Sequence, residues 1–201
     1  MRIGIDFDHT IVCYDGVFYR AALDLGLIPA DLATSKNGVR DYLNNSGQAE
    51  AFTKLQGHVY GSRMDLASCY PGVRRFLFAA AAAGHELFVV SHKTRQPILG
   101  PKHDMHAAAR GFLVAENLIG PGALRSENVF FALTKEEKVA RVAALDCQVF
   151  IDDLPEVLSS PGFPPGMRAV LFDPEDRFSD SPLERHVSWG AIEAALLGSR
   201  R

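Results

Sequence analysis

Ile3-Gly4-Ile5-Asp6-Phe7-Asp8-His9-Thr10 opens on a short apolar run and closes on two carboxylates one residue apart. A continuous apolar run of this length suits a strand buried on both faces, the habit of parallel sheets. Four more runs share that character: Leu87-Phe88-Val89-Val90-Ser91, Asn128-Val129-Phe130-Phe131, Gln148-Val149-Phe150-Ile151-Asp152 and Arg168-Ala169-Val170-Leu171-Phe172-Asp173. Helical stretches are predicted near 73–84, 104–118, 135–145 and 188–197. Strand–helix alternation of this kind predicts an α/β chain with a Rossmann-like parallel sheet. In such sheets ligands bind beyond the carboxyl ends of the strands. Asp6, Ser91 and Asp152 close three of the predicted strands, which makes those ends the candidate site.

Two segments break the alternation. Residues 14–70 carry predicted helices near 16–26 and 48–57, with polar turns at Ser35-Lys36-Asn37-Gly38 and Asn44-Asn45-Ser46-Gly47. They read as a small helical insertion into a core made of 1–13 and 71–201. The second is the loop from Lys93 to Asp104, directly after Ser91. A loop of that length at a strand end is more often functional than a plain connector.

Composition narrows the classes. The 201 residues are 47% hydrophobic and 22% charged, the balance of a globular protein and not of a disordered or fibrous one. With 24 acids against 21 bases the net charge is −3, which gives no basic field for nucleic acid. Cys13, Cys69 and Cys147 are scattered and form no CxxC, as in a reducing compartment. The most apolar stretch, Phe76 to Ala83, falls far short of the about 20 residues of a membrane span. The opening Met1-Arg2-Ile3-Gly4-Ile5-Asp6 is unlike a secretory leader, so the expected location is cytoplasmic. The sequence leaves the oligomeric state open, a homodimer included.

The chemistry lies in the strand ends. Asp6 and Asp8 can reach one small volume, and like charges held together call for a cation or a shared proton. One carboxylate can attack as a nucleophile while the other serves as acid and then base. Asp152-Asp153 repeats the pattern after another strand, and hard oxygen ligands from two strand ends suit Mg²⁺. A single acidic pair often does no more than solvate a turn; two pairs on one sheet argue for a site. Ser91 can offer its hydroxyl to a phosphate oxygen. Thr134 and Glu137 read as a helix start, placing Lys135 in the first turn and Lys138 one turn on. Either lysine can neutralise clustered carboxylates.

Taken in order, Asp6-Phe7-Asp8-His9-Thr10, Ser91, Lys135 (or Lys138) and Asp152-Asp153 resemble the four motifs of the haloacid dehalogenase (HAD) superfamily, in which phosphatases predominate. The resemblance covers nearly the whole chain as an α/β core with a small helical cap, residues 14–70. It implies an aspartyl-phosphate on Asp6, with Asp8 as general acid and base. It implies Mg²⁺ held by Asp6, the Asp8 carbonyl and Asp152, with Asp153 orienting a metal-bound water. Ser91 and Lys135 would hold the transferring phosphoryl group. Thr10, His92, Lys93, Arg95 and Lys138 are the candidate substrate-binding residues, Thr10 also fixing its own turn. His9 is expected to pack in that turn.

Lys93 and Arg95 point to a second anionic or polyhydroxyl group on the substrate, as in a nucleotide or phosphosugar. Lys36, Arg40, His58, Tyr60 and Arg63 are the cap residues expected to select it. His103 and His106 have no evident third ligand, which argues against zinc. The expected activity is Mg²⁺-dependent hydrolysis of a small phosphorylated metabolite. A phosphotransferase, a 5′-nucleotidase and a non-catalytic binding protein of the same fold stay open as alternatives. Asp8 favours phosphoryl chemistry over C–halogen cleavage, which needs no acid at that position.

Overall fold

A computed structural model describes residues 1–198; the last three residues of the predicted core lie outside it. The chain divides into two compact units. One comprises Met1–Val12, Cys69–His92 and the chain from Glu116 onward; the other comprises Cys13–Ser68 with Lys93–Ala115. The predicted insertion of 14–70 therefore accounts for only part of the second unit. Residues 93–115, assigned to the core by alternation, belong with the helices instead.

The first unit is built on a six-stranded sheet with every pair parallel. Its strands are β1 (Arg2–Ile5), β4 (Glu86–His92), β5 (Val129–Ala132), β6 (Val149–Asp152), β7 (Arg168–Phe172) and β8 (Glu184–His186). The order across the sheet is β5-β4-β1-β6-β7-β8. The chain moves outward from β1 through β4 to β5, then returns to the other side of β1 at β6. That reversal is the switch point at which open α/β sheets bind ligands, and β1 and β6 are the strands that end in Asp6 and Asp152. The short strands β2 (Val12–Cys13) and β3 (Ser68–Cys69) form a separate two-stranded ribbon.

Side chains alternate between the two faces of the sheet. Phe88, Val90, Phe150 and Leu171 pack with Val139 and Val142 of α6 (Lys135–Ala144) and with Val157 and Leu158 of α7 (Pro155–Leu158). On the other face Phe172 meets Trp189, which opens α8 (Trp189–Leu197) and packs on Phe76 of α4 (Val73–Ala82). β8 was not predicted, because Glu184-Arg185-His186 has no apolar pattern. It is an edge strand whose charges are used: Arg168 forks onto Glu184 at 2.6 and 2.7 Å, and Arg185 pairs with Asp173 at 3.1 Å. Charged edges of this kind discourage pairing with a stray strand.

The second unit is helical: α1 (Val17–Asp24), α2 (Lys36–Asn45), α3 (Ala49–Ser62) and α5 (Met105–Ala115), with a 3-10 turn at Met64–Leu66. α2 replaces the two predicted polar turns, and both turn signals prove to be its ends. Ser35 caps it by accepting from the Gly38 N–H at 3.0 Å. Gly47, at φ 72°, stops it, and the Gln48 N–H returns to the Leu43 carbonyl at 2.7 Å. Val39 and Leu43, four residues apart, supply the buried stripe between. No helix among the described residues is long and apolar enough to cross a membrane.

Gly4 stands opposite Phe150 across the β1–β6 pair. A Cβ there would lie 2.6 Å from Phe150 Cδ2 and 3.2 Å from Cys147 Sγ. Gly4→Ala should therefore cost about 1–3 kcal/mol by overpacking. The measurement is the urea midpoint at constant slope, and an unchanged midpoint would show that the Phe150 ring yields freely.

Candidate active site

The site grows from the carboxyl ends of β1 and β6. Ile5 and Ile151 are register partners, and the Asp6 N–H extends the pairing to the Ile151 carbonyl at 2.9 Å. Asp6 and Asp152 thus leave adjacent strands at the same level. After Asp6 the chain turns tightly: the Ile11 and Val12 N–H groups both donate to the Phe7 carbonyl at 3.0 Å. His9 takes the left-handed conformation at φ 60°, which histidine tolerates better than most side chains. Asp8 lies half-buried in this turn, its backbone bridged to Val12. Thr10 is fully buried, its hydroxyl 3.4 Å from Asp6 Oδ2 and 3.5 Å from Asp153 Oδ1. Those are long contacts, and the hydroxyl has one proton to share between them.

Lysine enters from α6. Thr134 caps this helix through the Glu137 N–H at 3.1 Å, and Glu137 accepts in turn from the Leu133 N–H at 2.8 Å. The helix so started carries Lys138 on its buried stripe with Val139 and Val142. Lys138 Nζ donates to Asp6 Oδ1 at 2.6 Å and stands 2.6 Å from Asp152 Oδ2. Lys135, the lysine first assigned to this role, points elsewhere: it is half-exposed and paired with Glu156 at 3.0 Å. Residues three apart share a helical face, so rotation does not part the two lysines; Lys135 is the first residue of α6 and half-exposed, whereas Lys138, a turn further in, is buried with Val139 and Val142.

The electrostatics are those of excess negative charge. Asp6, Asp152 and Asp153 are all buried, with one oxygen from each within 4.8 Å of the others. Burial pushes Asp152 up to about 6, opposed by Lys138 and reinforced by Asp6. Asp153 is raised well above the ordinary carboxylate range by burial, then by Asp6 and Asp152. For Lys138, burial alone would favour the neutral amine. Asp152 and Asp6 outweigh it and hold the ammonium above its usual range. Asp152 Oδ1 accepts from the Leu154 N–H at 3.0 Å, and its Oδ2 faces the ammonium. Three hard carboxylate oxygens within reach of one another, carrying more negative charge than one ammonium offsets, fit a small divalent cation.

The other predicted residues lie as follows. Ser91 is buried near the end of β4, the strand flanking β1. His92 is exposed, with Nε2 3.1 Å from the Leu133 carbonyl. Lys93 and Arg95 belong to the second unit. Lys93 is buried, with Nζ 4.7 Å from the Tyr60 ring centroid. Arg95 is largely exposed and salt-bridged to Asp104 at 3.0 Å. Lys36 donates to the Tyr60 hydroxyl at 2.8 Å. Trp189, which no sequence motif marked, donates from Nε1 to the Thr10 carbonyl at 3.0 Å. Thiol chemistry is disfavoured at two positions: burial pushes Cys69 up to about 12, with Glu116 adding to it, and Cys147 up to about 11.

Removing Lys138 would leave buried carboxylates uncompensated, whereas Lys135 holds only an exposed pair. Lys138→Met should cost about 3–5 kcal/mol in urea unfolding and Lys135→Met about 1 kcal/mol or less. Equal losses would contradict this division of roles.

No protein-family model matches the chain, and no curated protein matches it by sequence. Solved structures do match by fold. A predicted phosphatase from Clostridium acetobutylicum superposes with a TM-score of 0.63 at 12% identity, covering 98% of each chain. A HAD family hydrolase from Deinococcus radiodurans R1, solved with bound phosphate and sodium, gives 0.58 at 15% identity, over 97% of this chain and 94% of that one. A dehalogenase in an intermediate complex gives 0.59 at 14% identity, over 99% and 97%. Over nearly its whole length, the chain has the Rossmann-type fold of the HAD-superfamily hydrolases.

Proposed function

We propose that the chain is a HAD-type hydrolase, and within that class a Mg²⁺-dependent phosphatase of small phosphorylated metabolites. The observation that carries this reading is the Lys138 ammonium seated on Asp6 and Asp152 at the switch point of the sheet. Asp6, the Asp8 carbonyl, Asp152 and Asp153 would hold the cation, which supplies positive charge against the phosphoryl oxygens.

The residues of this chain divide the reaction between them. An Asp6 oxygen attacks phosphorus and the ester P–O bond breaks, leaving an aspartyl-phosphate. Asp8 gives its proton to the departing oxygen and then takes one from the attacking water. Water breaks the P–O bond to Asp6, releasing phosphate and restoring both carboxyl groups. Ser91 and Lys138 hold the phosphoryl oxygens, and such positioning with fixed charge is most of phosphoryl-transfer catalysis. Asp8 is also the feature that favours phosphoryl chemistry over the dehalogenation carried out by some proteins of this fold. The helical insertion after the first motif points to small substrates such as phosphosugars or nucleotides, in keeping with the resemblance.

The test is phosphate release from a panel of phosphosugars, nucleotides and phospho-acids with Mg²⁺. One substrate class should be hydrolysed, and chelation should stop the reaction. Asp6→Asn should lower kcat by about 10³-fold or more. Release that survives Asp6→Asn would exclude Asp6 as nucleophile, and release from no substrate would overturn the phosphatase reading.

A further inference from the structure

We propose that Trp189 is a positioning residue of this site: its indole N–H holds the Thr10 carbonyl and so sets where the Thr10 hydroxyl stands between Asp6 and Asp153. The inference rests on the phosphatase reading and adds to it a residue from α8, the helix farthest from the motifs in sequence.

Thr10 cannot be held in place by its hydroxyl. Contacts of 3.4 and 3.5 Å to two carboxylates are at the limit of hydrogen bonding, and a shift of a few tenths of an ångström would lose one of them. The closing bonds of the turn restrain the backbone around Thr10, but they run to the Phe7 carbonyl and not to that of Thr10. The backbone bond from Trp189 Nε1, 3.0 Å long and buried, is the better-formed contact.

The indole is in turn fixed. Trp189 has no exposed surface and lies against the rings of Phe76 and Phe172, with centroids 5.0 and 5.6 Å away. Ser188 caps α8 through the Ala191 N–H at 3.2 Å, which sets where the helix starts and hence where Trp189 sits. Gly72, at φ 95°, leaves room for it: a Cβ there would come within 3.0 Å of Trp189 Cβ. A ring packed on all sides and carrying one donor is a rigid strut. Being wholly buried, it acts on the reaction only through Thr10.

Trp189 is also the chain's single tryptophan, so tryptophan emission reports on this one position. Titrating the wild-type protein with Mg²⁺ and beryllium fluoride should give a saturable fluorescence change, with Mg²⁺ binding followed in parallel by calorimetry. Heat without a fluorescence change would overturn the coupling. No heat at all would overturn the phosphatase reading and this inference with it.

Two variants separate positioning from packing. Trp189→Phe keeps a ring and loses the donor; Ile192→Val loosens the buried face of α8 and leaves the donor and its two flanking rings in place. Under conditions where both are folded, Trp189→Phe should lower kcat roughly five- to tenfold, the worth of one neutral hydrogen bond, with KM within twofold. Ile192→Val should lower the urea midpoint and keep kcat. Equal kcat losses in both variants, or none in Trp189→Phe, would reduce Trp189 to a packing residue.

Discussion

The Lys138 ammonium between Asp6 and Asp152 is the contact on which the rest of the site depends. A lysine buried alone would shed its proton, and carboxylates buried alone would take one up. Here the carboxylates beside the ammonium outweigh its burial and keep it charged. The balance is uneven, since one ammonium faces three buried carboxylates. When all are ionised, two negative charges remain, the charge of one divalent cation. The rise of Asp152 and Asp153 above the ordinary carboxylate range is the same surplus seen from the proton's side.

That contact needs three elements in register. β1 and β6 must be neighbours with Ile5 opposite Ile151, so that both carboxylates emerge together. α6 must begin at Thr134 and nowhere else, because one residue of slip would turn Lys138 by about 100° off the buried stripe. The Thr134 cap and its reciprocal Glu137 are therefore functional as well as stabilising, and they explain why a helix start lies so close to the site. The chemistry is set by backbone topology and a cap, and the side chains complete it.

Much of this arrangement was legible in the sequence. The five apolar runs became strands because burial on both faces of a parallel sheet leaves a continuous apolar signature. β8 left none, since an edge strand carrying Glu184-Arg185-His186 is stabilised by ion pairs that lie far apart in sequence. α2 was hidden for the opposite reason: its cap residues and its stop residues are the same types that make turns. Helix α5 shows a further limit. Its buried stripe of Met105, Ala109 and Phe112 identifies an apolar face but says nothing about its partner. Alternation suggested the sheet, whereas the structure packs α5 on α3 and the 3-10 turn at Met64–Leu66. Trp189 was unreadable for a related reason, because a contact between residues 10 and 189 has no local signature.

The spacing of Asp6, Asp8 and Thr10 follows from the turn that contains them. After Asp6 the chain coils through one tight turn closed on the Phe7 carbonyl, in which His9 enters the left-handed region. That turn sets the Thr10 hydroxyl beside Asp6 and Asp153, while its closing bonds leave the Thr10 carbonyl to accept from Trp189. A buried carbonyl in that position needs a partner from elsewhere in the fold, and α8 provides one. The tightness that gathers the carboxylates thus creates a demand that the turn cannot meet itself. The first and last elements of the α/β unit are joined at the site because the turn after β1 is too short to satisfy its own backbone.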